Sequence, residues 1–257
     1  MNANGLYSGV EGYVIPGTNS GVIPGVANGL YGEPDNVVSI VRDSLRIYLD
    51  PYNYEIGSST WNDLSGNGSN ATLVNSPVYD RTLGGKFICN RGGPTNQYIS
   101  IPPPGTNGNI SVSLWVKFNG TFGNSQVVLE YGGSGSYPFR ILETASGTLL
   151  SVTIGSGPSI ETTRFINDRW YNFTLVRQGT AGDANGGGFI YLDGNLIFSY
   201  TGASTTRTDF LNLNASGGGA SHAINNEYGV FLFYNKPLTP SEVKQNYFAL
   251  KKRYNIL

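Results

Sequence analysis

The sequence contains few charged residues and almost no cysteine or histidine. Charged side chains make up 13% of the 257 residues, whereas ordinary soluble domains carry about a quarter. The formal net charge is −1, and the only basic cluster is Lys251–Arg253 near the end. Because nucleic-acid binding requires a basic face, no nucleic-acid partner is expected. The single cysteine, Cys89, excludes an intramolecular disulfide framework.

Further classes of protein are excluded in the same way. No apolar run approaches the length of a membrane-spanning helix, so no membrane partner is expected. No basic residue precedes Arg42, and no continuous apolar core lies there, so the sequence predicts no signal peptide. One histidine and one cysteine are too few ligands for a zinc site. We expect no cofactor.

The chain is instead rich in glycine and in apolar residues that recur at every second position. Its 36 glycines indicate many turns, as an all-β protein requires. Residues 110–118, 169–177 and 188–197 alternate apolar and polar side chains, which is typical of strands with one buried face. Asp193–Gly194 predicts a tight hairpin, because this pair tolerates two consecutive positive φ angles. The strand at residues 110–118 is expected to bury Val112, Leu114, Val116 and Phe118 on one face.

A short helix is predicted near the C-terminal end of the sequence. Thr239 and Glu242 have the spacing of a capping box, and Pro240 occupies the first helical position. Apolar or aromatic residues then recur on one face of the helix. These residues are Val243, Tyr247, Leu250 and Tyr254.

Three segments carry a resemblance to a known family. They are RWYNFTLVR (169–177), IYLDGNLI (190–197) and WNDLSGNGSNATL (61–73), and they resemble the concanavalin A-like (laminin G-like) jelly-roll family. The third segment is similar to the opening of a subgroup that occurs often among virion proteins of tailed bacteriophages and among bacterial surface proteins. The resemblance covers residues 41–257 and implies an all-β, antiparallel jelly-roll β-sandwich. Sugar-binding modules, glycosidases and structural decoration proteins share this fold, so other residues must decide the function.

The first 40 residues are expected to form a separate segment. NGLY occurs at 4–7 and again at 28–31, and VIPG occurs at 14–17 and again at 22–25. The prolines and glycines disfavour a helix or a central strand, so a flexible tail is the plain interpretation. The regularly spaced apolar side chains favour an extended arm that docks on a partner. The expected docking residues are Leu6, Tyr7, Val14, Ile15, Val22, Ile23, Leu30 and Tyr31.

No catalytic constellation is recognisable in the sequence. Glycosidases of the resembled family use a Glu-x-Asp-x-x-Glu pattern, which places the two required carboxylates on one strand. The only Glu-x-Asp here is Glu33–Asp35, with Val38 in the final position. A serine or cysteine hydrolase needs a histidine base, and the one histidine, His222, lies in a glycine-rich stretch. We therefore expect no enzymatic activity.

The sequence offers candidate residues for two kinds of binding site, one for a sugar and one for calcium. A sugar needs an exposed aromatic platform, for which the candidates are Trp61, Tyr131 and Tyr137, whereas Trp115 and Trp170 are expected in the core. Relatives in the resembled family often bind calcium through Asp and Asn oxygens. The corresponding candidates are Asp63, Asn67, Asp183 and Asn185. The favoured interpretation is that these side chains cap the backbone of their own loops.

The leading hypothesis is a non-enzymatic virion structural protein of a tailed phage, either a capsid decoration protein or a tail or fibre component. The arm would dock on other virion proteins or on copies of the same chain, within a large assembly formed in the host cytoplasm. Weak glycan binding is compatible with this role. The alternative is a carbohydrate-binding lectin module for host or cell-surface glycans, and an enzyme comes third.

Overall fold

The computed structural model describes most of the chain beyond the expected arm. The described residues are 38–90, 96–105, 108–119, 126–133, 136–143, 150–155, 160–161, 166, 168–179, 186–201, 208–217 and 225–256. The eight expected docking residues of the arm lie outside them. The globular unit begins at Ile40, whose side chain is buried in an apolar cluster of the domain.

The described part of the chain is dominated by β-strands. In chain order they are β1 (Leu45–Leu49), β2 (Thr60–Trp61), β3 (Ala71–Val74), β4 (Val78–Asp80), β5 (Lys86–Cys89), β6 (Tyr98–Ile101), β7 (Ile110–Phe118), β8 (Gln126–Gly133), β9 (Ser136–Glu143), β10 (Leu150–Gly155), β11 (Ile160–Glu161), β12 (Trp170–Gln178), β13 (Gly187–Leu192), β14 (Asn195–Thr201), β15 (Phe210–Leu213) and β16 (Asn226–Tyr234). One α-helix, α1 (Pro240–Lys251), follows them.

The strands form two antiparallel sheets that pack face to face. The first sheet has the order β14-β13-β12-β7-β16-β5-β4, with β1 also paired to β16. The second has the order β11-β10-β9-β8-β15-β6-β3-β2. This architecture confirms the expected all-β jelly-roll sandwich with a short C-terminal helix. It also places the edge strands β4 and β2, which are short, at the ends of the two sheets.

The core between the sheets follows the period-two patterns of the sequence. Val112, Leu114, Val116 and Phe118 of β7 all point into it, as predicted, and none is more than 1% exposed. Cys89 is a free, fully buried thiol in the same core. Burial raises the pKa of that thiol, so it stays protonated and serves packing.

A second apolar cluster lies on the outer face of the first sheet, beneath α1. The capping box between Thr239 and Glu242 is present, with Pro240 in the first turn. Val243, Tyr247 and Leu250 of the predicted helix face are buried on α1, whereas Tyr254 is buried in the 3-10 turn Lys252–Tyr254 that follows α1. Trp115 stacks on the rings of Tyr254 and Tyr247 with centroid distances of 4.4 and 5.7 Å. Strand β7 is therefore buried on both faces, which the alternating pattern alone does not predict. Within the described part of the chain, no helix is long and apolar enough to cross a membrane.

The predicted hairpin joins β13 and β14. Asp193 and Gly194 have φ angles of 48° and 76°, as a tight turn with two left-handed residues requires. The Asp193 carboxylate accepts hydrogen bonds from the backbone N–H of Asn172 at 2.9 Å and from Arg169 at 2.8 Å. Asp193 is thus the turn residue that the sequence predicts, and it also ties the hairpin to β12.

Candidate functional site

A groove of about 600 Å³ opens at the side of the sandwich, near the short edge strands β2 and β4. One wall comes from the connection between β1 and β2, and the other comes from the β3–β4 turn and β4. The lining residues are Tyr54, Ile56, Gly57, Ser58, Ser59, Leu73, Ser76, Pro77, Tyr79 and Arg81. A concave surface with aromatic walls and a few polar groups is the usual form of a small-molecule site.

Two tyrosine rings form the aromatic part of the groove. The centroids of Tyr54 and Tyr79 are 4.8 Å apart, with the ring planes inclined by 54°. Both rings rest on Phe87, at 4.9 and 5.6 Å, and Phe87 in turn packs on the fully buried Trp61 at 4.8 Å. The half-buried tyrosines are therefore held in place by the core, so little side-chain entropy remains to be lost when a ligand binds.

The polar groups of the groove differ in how far they are already engaged. The Tyr54 hydroxyl donates to the Ser58 carbonyl oxygen, and burial raises the pKa of Tyr54. The Tyr79 hydroxyl makes no hydrogen bond within the described part of the chain. Arg81 is exposed at the rim, and it forms no ion pair with any described residue. The neighbouring Asp80 is engaged elsewhere, with the Thr82 N–H at 2.8 Å and Lys86 at 3.3 Å.

A second depression, of about 410 Å³, lies where the β13–β14 turn meets α1. Its arginine, Arg169, is paired with Asp193 at 2.8 Å. Lys244 is exposed on the helix beside it. Arg169 is therefore already engaged by its neighbour, and Lys244 is an exposed cation of this depression.

The buried carboxylates of the domain are engaged in its packing. Glu130, on β8, accepts hydrogen bonds from Arg140 at 2.7 Å, from the Ser216 hydroxyl at 3.0 Å and from the Gly217 N–H at 2.9 Å. Its side chain is 1% exposed. Such a carboxylate fixes neighbouring strands and has no free face for a substrate.

Glu227 forms a second buried polar cluster. Its carboxylate lies 2.8 Å from the amines of both Lys86 and Lys117 and accepts a hydrogen bond of 2.7 Å from Asn119. Burial acts to raise the pKa of Glu227, but the contacts with the two lysines and Asn119 outweigh it and hold the pKa below its ordinary value. A carboxylate that remains ionised between two cations is unsuited to act as a general acid.

Two of the three residues expected to bind a sugar are buried. Trp61 and Tyr131 are both 0% exposed, so neither ring can serve as a platform, and the expectation is wrong for them. Tyr131 packs edge-on against Phe233 at 5.6 Å, whereas Trp61 supports the groove from beneath. Tyr137 is half-buried, and the Arg140 guanidinium lies 4.5 Å from its ring centroid, so one face of the ring is already covered.

The Asp63 carboxylate serves as a cap for its own loop. It accepts hydrogen bonds from the backbone N–H groups of Tyr48, Ser65 and Ser69 at 2.9, 2.9 and 3.0 Å. Asn67 accepts from Arg46 at 3.0 Å and donates to the Ser65 hydroxyl at 2.9 Å. The bonds of Asp63 confirm the capping interpretation for that side chain. Asn67 instead links its loop to β1, because it also donates to the carbonyl oxygens of Leu45 and Arg46 at 3.3 and 3.1 Å.

Among the described residues, no three His, Cys, Asp or Glu side chains are grouped as metal ligands. Asp183, Asn185 and His222 lie outside the described residues.

Sequence reasoning missed the groove. Tyr54 and Tyr79 are 25 positions apart and meet only because β4 pairs with β5 while β2 pairs with β3. The local signal that pointed toward it is the PYNYE segment, residues 51–55, where two tyrosines follow a proline in a loop.

Solved structures of larger proteins share this fold. A sialidase from Trypanosoma rangeli in complex with sialic acid aligns with a TM-score of 0.62 and 15% identity, over 81% of this chain and 33% of the sialidase. The receptor-binding domain of botulinum neurotoxin type G gives 0.59 and 16%, over 80% and 51%. Botulinum neurotoxin type C, whose cell entry depends on two ganglioside molecules, gives 0.63 and 15%, over 81% and 52%. At these identities the likeness shows the fold alone, and the chain spans about a third to a half of each structure.

No curated protein matches the sequence. A family model does match it: that of the concanavalin A-like lectin/glucanases superfamily, over residues 91–244, which is more than half of the chain. The match agrees with the resemblance carried by the strand and hairpin segments and with the two-sheet architecture. This chain belongs to the concanavalin A-like lectin/glucanase superfamily.

Proposed function

We propose that the protein is a non-enzymatic structural component of a virion, a capsid decoration protein or a part of a tail or fibre. The observation that carries its non-catalytic character is the state of the buried carboxylates. Glu130 and Glu227 are both bound by cations and N–H donors of the domain itself. Glycoside hydrolysis requires two carboxyl groups facing a substrate, and these two groups face their own structural partners instead.

The virion role is supported by the sequence resemblance to the phage subgroup and by the duplicated apolar motifs of residues 1–40. In this role the arm docks on other virion proteins or on further copies of the chain. An extended segment offers backbone groups that can add to the edge of a partner's sheet. Repetition of the module on a particle then raises the effective strength of each contact through avidity.

The start of the globular domain is firmly held where the arm would leave it. The Val41 N–H donates to Asn246 at 2.8 Å, and the Tyr234 hydroxyl donates to the Val41 carbonyl at 3.0 Å. A partner that binds the preceding segment would therefore pull on residues that are hydrogen-bonded to α1 and β16. The test is incorporation into particles: a chain that begins at Ile40 should fold but no longer incorporate.

A second candidate function, a carbohydrate-binding lectin module, is favoured by the groove between Tyr54 and Tyr79. Tyrosine combines an apolar face with a polar hydroxyl, which suits the mixed surface of a sugar. The proteins that share the fold include a sialidase in complex with sialic acid and a neurotoxin that interacts with gangliosides. Glycan binding by the full-length chain, lost on Tyr79→Ala, is the test. The two functions are compatible, since a virion protein can also recognise a host glycan.

A further inference from the structure

The groove contains, beside its aromatic wall, a cation that forms no ion pair with any described residue. Arg81 is exposed and lines the groove together with Tyr79. The nearest carboxylate in sequence, Asp80, is bound to Thr82 and Lys86, so it does not neutralise Arg81. Four other described arginines each donate to a side-chain oxygen: Arg46, Arg140, Arg169 and Arg253. The exposed Arg42 instead lies over the ring of Tyr48, 5.1 Å from its centroid.

The aromatic wall is preorganised. Tyr54 and Tyr79 are fixed by Phe87, which is itself fully buried. The groove therefore presents two ring surfaces held in place by the core, with the exposed side chain of Arg81 lining the same groove. Hydroxyl groups of Ser59 and Ser76 add hydrogen-bonding capacity along the same surface.

We propose that this groove binds an acidic saccharide, with the sugar ring against Tyr54 and Tyr79 and its carboxylate on Arg81. This inference rests on the carbohydrate-binding candidate function and specifies its ligand class. A guanidinium and a carboxylate form two parallel, charge-assisted hydrogen bonds, which are stronger than neutral ones. A neutral sugar would leave Arg81 without a partner, so the arginine selects for the charged ligand.

The test measures binding of the full-length chain to matched probes by isothermal titration calorimetry. The probes are sialyllactose and lactose, which differ by one acidic sugar, together with trigalacturonate as an unrelated acidic saccharide. The variants are Arg81→Gln, which changes an exposed side chain that pairs with no carboxylate in the described part of the chain, and Tyr79→Ala. The control is Lys244→Gln, which removes an exposed cation at the second depression.

The expected result is that at least one acidic probe binds and lactose binds more weakly. Arg81→Gln should then weaken binding of the acidic probe by about tenfold or more, Tyr79→Ala should weaken it as well, and Lys244→Gln should leave it unchanged.

If acidic and neutral probes bind equally and Arg81→Gln has no effect, the inference is overturned while carbohydrate binding stands. A loss on Lys244→Gln instead places the site at the second depression and overturns it. If no saccharide binds, both the inference and the lectin candidate fail, and the virion role is unaffected.

Discussion

The Tyr254 hydroxyl accepts a hydrogen bond of 2.9 Å from the buried backbone N–H of Val230. Val230 lies where the regular pairing of β16 with β7 is interrupted, between Tyr228 and Phe231. An N–H freed from a ladder by such an irregularity needs another partner when it is buried. Tyr254 supplies that partner. The hydrogen bond thereby holds the 3-10 turn Lys252–Tyr254 against the centre of the first sheet. Gly229 makes room for the ring, because a Cβ at that position would overlap the Tyr254 hydroxyl.

The variant Tyr254→Phe tests this relationship. It keeps the stacking on Trp115 but leaves the Val230 N–H without an acceptor, so it should lower the free energy of unfolding by about 1–3 kcal/mol. Chemical denaturation of the full-length protein measures the change. The matched control is Tyr52→Phe, which alters a tyrosine that is 67% exposed and should have little effect. Equal stability of the two variants would show that the hydrogen bond contributes nothing.

The second prediction concerns the contact between Asp50 and Arg253. The Asp50 carboxylate is 2% exposed, and it accepts hydrogen bonds from Arg253 at 2.7 Å and from the Tyr48 hydroxyl at 2.9 Å. Arg253→Gln leaves this buried carboxylate without its cation and should lower the free energy of unfolding by about 2–3 kcal/mol. Arg81→Gln, which removes an exposed arginine that has no ion pair among the described residues, serves as the control in the same unfolding experiment. A cost no larger than that of the control would contradict the structural role of the pair.

The third prediction concerns the pH dependence of stability at Asp63. Burial acts to raise the pKa of Asp63, but the backbone hydrogen bonds from Tyr48, Ser65 and Ser69 outweigh it and hold the pKa below the ordinary value of 3.8. A carboxylate whose folded pKa is depressed stabilises the fold fully above its unfolded pKa, and the contribution is lost as the pH falls through the folded value. Asp63→Asn should therefore be destabilising near neutral pH.

The measurement is the denaturation midpoint from about pH 7 to about pH 3. The difference between wild type and Asp63→Asn should shrink as the pH falls below about 4. Glu55→Gln, which changes an exposed carboxylate, is the control and should show no such convergence. A difference that stays constant over this range would rule out the linkage to Asp63.

The fourth prediction is that the domain folds without the arm. A chain that begins at Ile40 retains Val41 and its hydrogen bonds to Asn246 and Tyr234, so circular dichroism and the melting temperature should match those of the full-length protein. Light scattering then compares the masses of the two chains in solution. Self-association of only the longer chain would identify a second copy as the partner of the arm. An unfolded short chain would contradict the domain boundary.

The sequence predicts those features that depend on local patterns. The inner face of β7, the Asp193–Gly194 turn and the capped helix α1 all follow from periodicity or from turn and cap chemistry, and all three are present. Burial of the Trp115 face of β7 also depends on α1 returning over the sheet. That contact joins residues 115 and 247, and no local pattern encodes it.

The candidate site was less predictable for the same reason. Tyr131 precedes two glycines, which suggests an exposed loop, yet β8 continues through Gly133 and the ring lies in the core. Tyr54, Tyr79 and Arg81 meet only through strand pairing at the ends of both sheets. The sequence therefore identifies a lectin-like jelly roll, whereas the position of its groove depends on tertiary structure.

The most direct test of the proposed virion role is the number of copies of the chain in gradient-purified virus particles, determined by quantitative mass spectrometry. Particles assembled with the full-length chain should carry a fixed, reproducible copy number. Particles assembled with the folded chain that begins at Ile40 should carry essentially none. Absence of the full-length chain from particles would contradict the proposed virion role, and equal incorporation of both chains would contradict attachment through the N-terminal arm.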